Sequence, residues 1–205
     1  MPIIKEFETI EGCHVVVWEV SENLDWFQNH VFVTDNEQAD FLTISHPIKQ
    51  LEWFAGRAAV QYIVRPFVYD GLIKDQYGKP HLRNHDAQIS VSHTAKYVVV
   101  AFHNKKPVGV DLERVSEKIR RISHKFLNDK ELATANDNLE KLAAYWCAKE
   151  ALYKLHGTKQ LSFKQNISVQ TPAQFFKGQI HYENRIETYQ LHRFWIDDFC
   201  GVLAV

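Results

Sequence analysis

The stretch QISVSHTAKYVVVAFHNKKPVGVDLER, residues 88–114, holds three runs rich in β-branched and aromatic side chains. QISVS (88–92), KYVVVAFH (96–103) and PVGVDLE (107–113) each read as a strand, because such side chains pack well on a pleated surface. The links HTA and NKK are three residues each. A parallel crossover needs about a dozen residues, so the three strands are expected as antiparallel neighbours.

Upstream, HVVVWEV (14–20) is another strand, and residues 22–45 read as helical pieces with loops. Residues 49–67 read as a helix, with Leu51, Phe54, Ala55, Ala58, Ala59, Tyr62 and Ile63 recurring at three- and four-residue steps. Pro66 limits it, since proline lacks an N–H and restrains its predecessor. Residues 70–86, with Gly71, Gly78 and Pro80, read as a polar loop. Downstream, residues 117–127 form an amphipathic helix with Ile119, Ile122 and Phe126 on one face, and Asn128-Asp129 opens a short one. Residues 138–156 give a strong helix that Gly157 can cap, and NISVQT, KGQIHYE, RIETYQLHRFWI and FCGVLAV read as strands.

This pattern predicts an α+β fold of largely antiparallel sheets. The two halves rhyme: each opens with a strand, passes through a long helix and ends β-rich. The expectation is two similar halves, 1–104 and 105–205, each a small sheet packed with a long helix.

The composition of 205 residues, 45% hydrophobic and 24% charged, is that of a globular chain and excludes a disordered one. A net charge of −1 gives no overall field for nucleic acid. The charge is polarised, however. Residues 1–103 carry 8 Lys/Arg against 13 Asp/Glu, and residues 104–205 carry 16 against 12. Cys13, Cys147 and Cys200 are far apart and form no CxxC, which argues against a disulfide framework or zinc ribbon and for a reducing compartment. No secretory leader or membrane-spanning run is read, so the expectation is a cytoplasmic protein without membrane contact.

No glycine-rich phosphate loop, GxGxxG, HExxH or GxSxG motif occurs. A phosphate ligand would have to be held by side chains or helix ends. In GVDLER (109–114), Asp111 and Glu113 are two apart on a strand and face the same side. Two close carboxylates call for a cation, and a hard divalent ion such as Mg²⁺ suits them. The alternative is an exposed strand end with Arg114 as counter-ion. In WCAKEALYKLHG (146–157), Trp146, Glu150 and Lys154 share a helix face. Glu150 is then either a third carboxylate or half of an ordinary Glu-to-Lys pair with Lys154. His93 follows a strand in ISVSHT (89–94), and Lys79 sits in the turn YGKPHL (77–82).

Taken in order, GKP (78–80), SHT (92–94), GVDLE (109–113) and W-x-x-KE-x-x-x-K (146–154) resemble the motifs of the 4′-phosphopantetheinyl transferase superfamily, in its longer two-halved, surfactin-synthetase-activating form. KFLNDKEL (125–132) is similar to the family's spacer, FAGRAAV (54–60) is a softer match, and the strong likeness spans about residues 77–161.

The resemblance implies two α+β halves related by a pseudo-twofold axis with the active site between them, complete within one chain and so plausible as a monomer. It implies transfer of the 4′-phosphopantetheine arm of coenzyme A to a serine of an apo acyl or peptidyl carrier protein, releasing adenosine 3′,5′-bisphosphate. Asp111, Glu113 and Glu150 would be ligands of Mg²⁺, or of Mn²⁺ in its place. Glu150 would be the base, with Lys154 and Lys149 catalytic; for Lys149 a phosphate contact and a structural ion pair are both open. His93, Lys79, Arg57 and Ser92 would bind coenzyme A, and Trp146 would orient the helix. The chain departs from the family in its N-terminal third: residues 20–48 hold no Lys or Arg, and Glu52 stands where relatives often carry arginine.

Lys118, Arg121 and Lys125 form a basic stripe at helical spacing, opposite Ile119, Ile122 and Phe126. It reads as a docking face for an acidic carrier or as a solvated helix face. A Mg²⁺-dependent phosphohydrolase of a nucleotide diphosphate, and a non-catalytic coenzyme A or carrier-binding module, are the competing readings.

Overall fold

The computed structural model describes residues 2–9, 11–158 and 161–205; residues 1, 10, 159 and 160, the last two within the stretch compared above, lie outside the described residues. The chain divides into two compact units, Met1–Lys106 and Pro107–Val205. Each is built of antiparallel strands and helices, the α+β architecture expected.

The N-terminal unit has an antiparallel sheet in the order β1-β2-β6-β5, from β1 (Ile3–Glu8), β2 (His14–Glu19), β5 (Gln88–His93) and β6 (Tyr97–His103). Three helices follow β2: α1 (Leu24–His30), α2 (Asp35–Leu42) and α3 (Pro47–Ile63). Asn23 caps α1, and Thr34 with Glu37 forms a reciprocal capping box on α2, satisfying N–H groups that a helix start leaves without intrahelical partners. Pro47 opens α3, where a missing N–H costs nothing. The apolar face of α3, with Phe54, Ala55 and Ala59, packs on β2 and β6 around Trp18, Val98 and Val100. The segment read as a polar loop contains a hairpin of β3 (Leu72–Lys74) and β4 (Pro80–Leu82). Strands of three residues are too short to show a period.

The C-terminal unit has a five-stranded antiparallel sheet in the order β7-β11-β10-β9-β8. Its strands are β7 (Gly109–Arg114), β8 (Ile167–Val169), β9 (Phe175–Tyr182), β10 (Arg185–Ile196) and β11 (Phe199–Ala204). Its helices are α4 (Glu117–Phe126), α5 (Asp129–Ala135) and α6 (Leu139–His156). Gly157, with φ of 79°, ends α6 in the left-handed conformation that glycine adopts without strain. The expected meander of three consecutive strands is corrected here. β5 pairs with β6, but β7 pairs with β11, Asp111 opposite Val202 and Glu113 opposite Cys200. A three-residue link permits a hairpin without requiring one. β11 is buried along its whole length and lies between β7 and β10, which satisfies the backbone on both its sides.

Candidate active site

β7 and α6 pack directly against each other. Gly109 makes the approach close: a Cβ there would stand 2.7 Å from the Leu155 nitrogen and closer still to the Ala151 carbonyl oxygen. The strand's alternation then sets the site. Asp111 and Glu113 lie opposite Val202 and Cys200, whose side chains belong to the core around α6, so both acids face the helix. Val110 and Leu112, also buried, take the other face.

Lys154 Nζ donates to Asp111 Oδ1 at 2.8 Å and to the Val110 carbonyl at 3.1 Å. Glu150 lies one turn earlier on α6 and is half-buried. Burial, together with the negative charges of Asp111 and Glu113, pushes its carboxyl up to about 7, against the pull of Lys154. Burial and Asp111 likewise raise Glu113, opposed by a hydrogen bond from the Trp146 side chain and by the charges of Lys154 and Lys118. The three acids named from the sequence therefore feel one another's charge. Trp146 does more than pack between Phe126 and Phe163, at ring distances of 4.9 and 5.8 Å, because it also holds Glu113.

For Lys149 the structure shows the ion pair, one of its two open readings, in place of a catalytic contact. It is 0% exposed, and its ammonium is 2.8 Å from Glu131 Oε2 and 2.7 Å from each of the carbonyls of Phe163 and Ile167. An ammonium has three protons, and these three acceptors use them all. Lys149 is a structural strut from α6 to the segment leading into β8, with no donor left for a phosphate. Its partner Glu131 stands in Asn128-x-x-Glu131, a capping box at the start of α5 whose local spacing is legible but whose distant cation is not. Glu131 also accepts from the Val169 amide at 2.9 Å, fixing the edge strand β8.

The residues assigned to coenzyme A fall in the N-terminal unit. A cleft of about 540 Å³ is lined there by residues that include Lys49, Glu52, Trp53, Arg57, Val91 and His93. The Arg57 guanidinium stacks 3.2 Å from the centroid of the Trp53 ring, and its Nε is 3.1 Å from Glu37 Oε1. Burial lowers its pKa, with Glu37 pulling the other way. His93 Nε2 is 3.3 Å from Glu52 Oε2, and Lys49 Nζ is 2.7 Å from the same oxygen. Two of the assigned residues lie outside the cleft lining. Ser92 is buried on the face of β5 opposite to Val91 and His93, because neighbouring strand residues alternate, and it does not line the cleft. Lys79 lies between two lining residues, Gly78 and Pro80, without lining the cleft itself, and burial lowers its pKa.

Lys118, Arg121 and Lys125 are exposed on α4, while Ile119 and Phe126 are buried beneath them. The charge of Lys118 reaches Glu113, so this stripe begins beside the acids of β7.

Residues 107–198 match the model of the 4′-phosphopantetheinyl transferase superfamily. That match spans 92 residues, most of the C-terminal unit. Among relatives, the 4′-phosphopantetheinyl transferase gsp of Aneurinibacillus migulanus is 33% identical over 89 residues, which is 41% of this chain and 37% of that protein. The chain thus aligns with little more than a third of this relative's length. The superfamily match encloses β7, α4, α5 and α6, and with them Asp111, Glu113, Glu150 and Lys154. Among the described residues, no helix is long and apolar enough to cross a membrane.

The acids' chemistry suits a hard divalent cation: three carboxylates, two of them driven up by burial and mutual repulsion. Among the described residues no three His, Cys, Asp or Glu side chains are gathered into a metal cage; Asp111 is engaged by Lys154 and Glu113 by Trp146.

Proposed function

We propose that this protein transfers the 4′-phosphopantetheine arm of coenzyme A to a serine of an apo acyl or peptidyl carrier protein, releasing adenosine 3′,5′-bisphosphate. One observation carries the reading. Within the segment that matches the superfamily, β7 and α6 present three carboxylates that perturb one another, with Lys154 2.8 Å from the first. Asp111, Glu113 and Glu150 would hold Mg²⁺, or Mn²⁺ in its place, and a cation bound there would supply neutralisation of the donor's diphosphate charge.

The chain's own residues do the rest. The serine oxygen forms a bond to the phosphorus that carries the pantetheine arm, and the bond from that phosphorus to the bridging diphosphate oxygen breaks. Glu150, the carboxylate that α6 presents beside Asp111 and Glu113, takes the serine proton. Lys154 stabilises the charge that grows on the leaving oxygen. Such chemistry needs positioning and neutralisation more than covalent help. The cleft of the N-terminal unit takes the nucleotide end of the donor, with Trp53 and Val91 offering apolar surface and Arg57 and His93 polar contact. The exposed stripe of α4 receives the acidic carrier, next to the acids that act on it.

Mixing the protein with Mg²⁺, coenzyme A and an apo carrier, then weighing the carrier by mass spectrometry, tests this. The expected result is a phosphopantetheine increment that disappears with Glu150→Ala. Cleavage of coenzyme A without any carrier would favour a phosphohydrolase and overturn the proposal.

A further inference from the structure

The cleft of the N-terminal unit lacks the clear excess of free positive charge that a phosphate site calls for. Glu52 is 5% exposed on α3, and one of its oxygens is shared by the Lys49 ammonium at 2.7 Å and the His93 ring at 3.3 Å. Arg57, the deepest cation, is bound to Glu37 and flattened on Trp53. The permanent cations of the lining are Lys49, Arg57 and Lys74; Asp40 and Glu52 in the lining and Glu37 behind Arg57 match them in number. A phosphate dianion entering this cleft would have to share Lys49 and His93 with Glu52, whose carboxylate already takes up part of their charge. The incoming anion would then sit beside a buried carboxylate, whose negative charge opposes it. The apolar lining, including Ile44, Trp53, Leu72 and Val91, offers surface to an aromatic base whether or not the sugar carries a phosphate.

We infer that Glu52 sets the donor specificity of this cleft: it keeps Lys49 and His93 as its own counter-ions, so a donor nucleotide with an extra ribose 3′-phosphate binds little better than one without it. This rests on the reading that the cleft takes the nucleotide end of a coenzyme A-type donor. The substrate class is thereby widened to 3′-dephospho donors.

Two measurements on the full chain test it. Carrier loading is compared with coenzyme A and 3′-dephospho-coenzyme A. Binding of adenosine 3′,5′-bisphosphate and adenosine 5′-monophosphate is compared by calorimetry without any carrier. In the wild type, each pair is expected to differ by less than about tenfold. Glu52→Gln, which keeps the side chain's shape and removes its charge, should shift both ratios about tenfold or more toward the phosphorylated partner. A wild-type preference of about a hundredfold for the 3′-phosphate, or ratios that Glu52→Gln leaves unmoved, would overturn the inference. If the variant does not fold, the wild-type ratios alone decide. If neither donor loads a carrier, the transfer reading falls, while the nucleotide ratios still judge Glu52.

Discussion

Replacing Lys149 by methionine separates two roles that its place in the motif leaves open. The substitution keeps most of the side-chain volume and removes the ammonium. It leaves the Glu131 carboxylate, 4% exposed at its side chain, without the cation 2.8 Å away, and strips the carbonyls of Phe163 and Ile167 of donors at 2.7 Å. Breaking a buried ion pair from one side costs about 3–5 kcal/mol, because the remaining charge stays desolvated. For a chain of this size each kcal/mol moves the melting temperature by about 2–4 °C, so Lys149→Met should melt about 6–20 °C lower. Glu131→Gln in the same chain should recover part of that loss, since it removes the stranded charge, and a double-mutant cycle should return about 1 kcal/mol or more of coupling. Calorimetry or circular dichroism gives the melting temperatures, and carrier loading at a temperature where the variant is folded gives kcat. The structural assignment requires kcat to stay within about tenfold of wild type. A melting temperature within about 2 °C of wild type, accompanied by a kcat fall of about a hundredfold or more, would refute it.

Gly109→Ala should cost about 3 kcal/mol by urea unfolding, since the new Cβ meets helix backbone at Ala151 and Leu155, which a rotamer change cannot relieve. Carrier loading should fall as well, because Asp111 is carried by the displaced strand. Reversing charge at Arg121 and Lys125 to glutamate should raise the carrier KM about tenfold or more and flatten its salt dependence, with coenzyme A binding unchanged; unchanged carrier kinetics would discard α4 as the docking face. Cys13, Cys147 and Cys200 are all buried, and a thiol reagent at pH 8 should label them only after denaturation. Burial pushes the Cys13 thiol up to about 12 from its ordinary value of 9.0. The folded thiol therefore keeps its proton while the unfolded one loses it, and stability should be complete below pH 9 and fall as pH rises from 9 toward 12, less so in Cys13→Ala.

The sequence by itself determined what depends on short-range pattern. Alternation within GVDLER put Asp111 and Glu113 on one face of a strand, and helical spacing put Glu150 and Lys154 one turn apart. Caps such as Gly157 marked where helices end, and the order of four motifs pointed to the superfamily that the C-terminal unit matches. Local geometry fixes these relations whatever the rest of the chain does. Tertiary structure alone decided which partner each group meets. It drew β7 away from β6 to β11, because strand pairing is chosen by what lies across the ladder and not by link length. It turned Lys149 from a candidate for chemistry into a buried strut, because Glu131 and two carbonyls converge on it from residues 14 to 18 positions away. It also set Glu52 against Lys49 and His93, giving one cleft its charge balance. A side chain's partners across the fold depend on where distant backbone runs, and no local period encodes that.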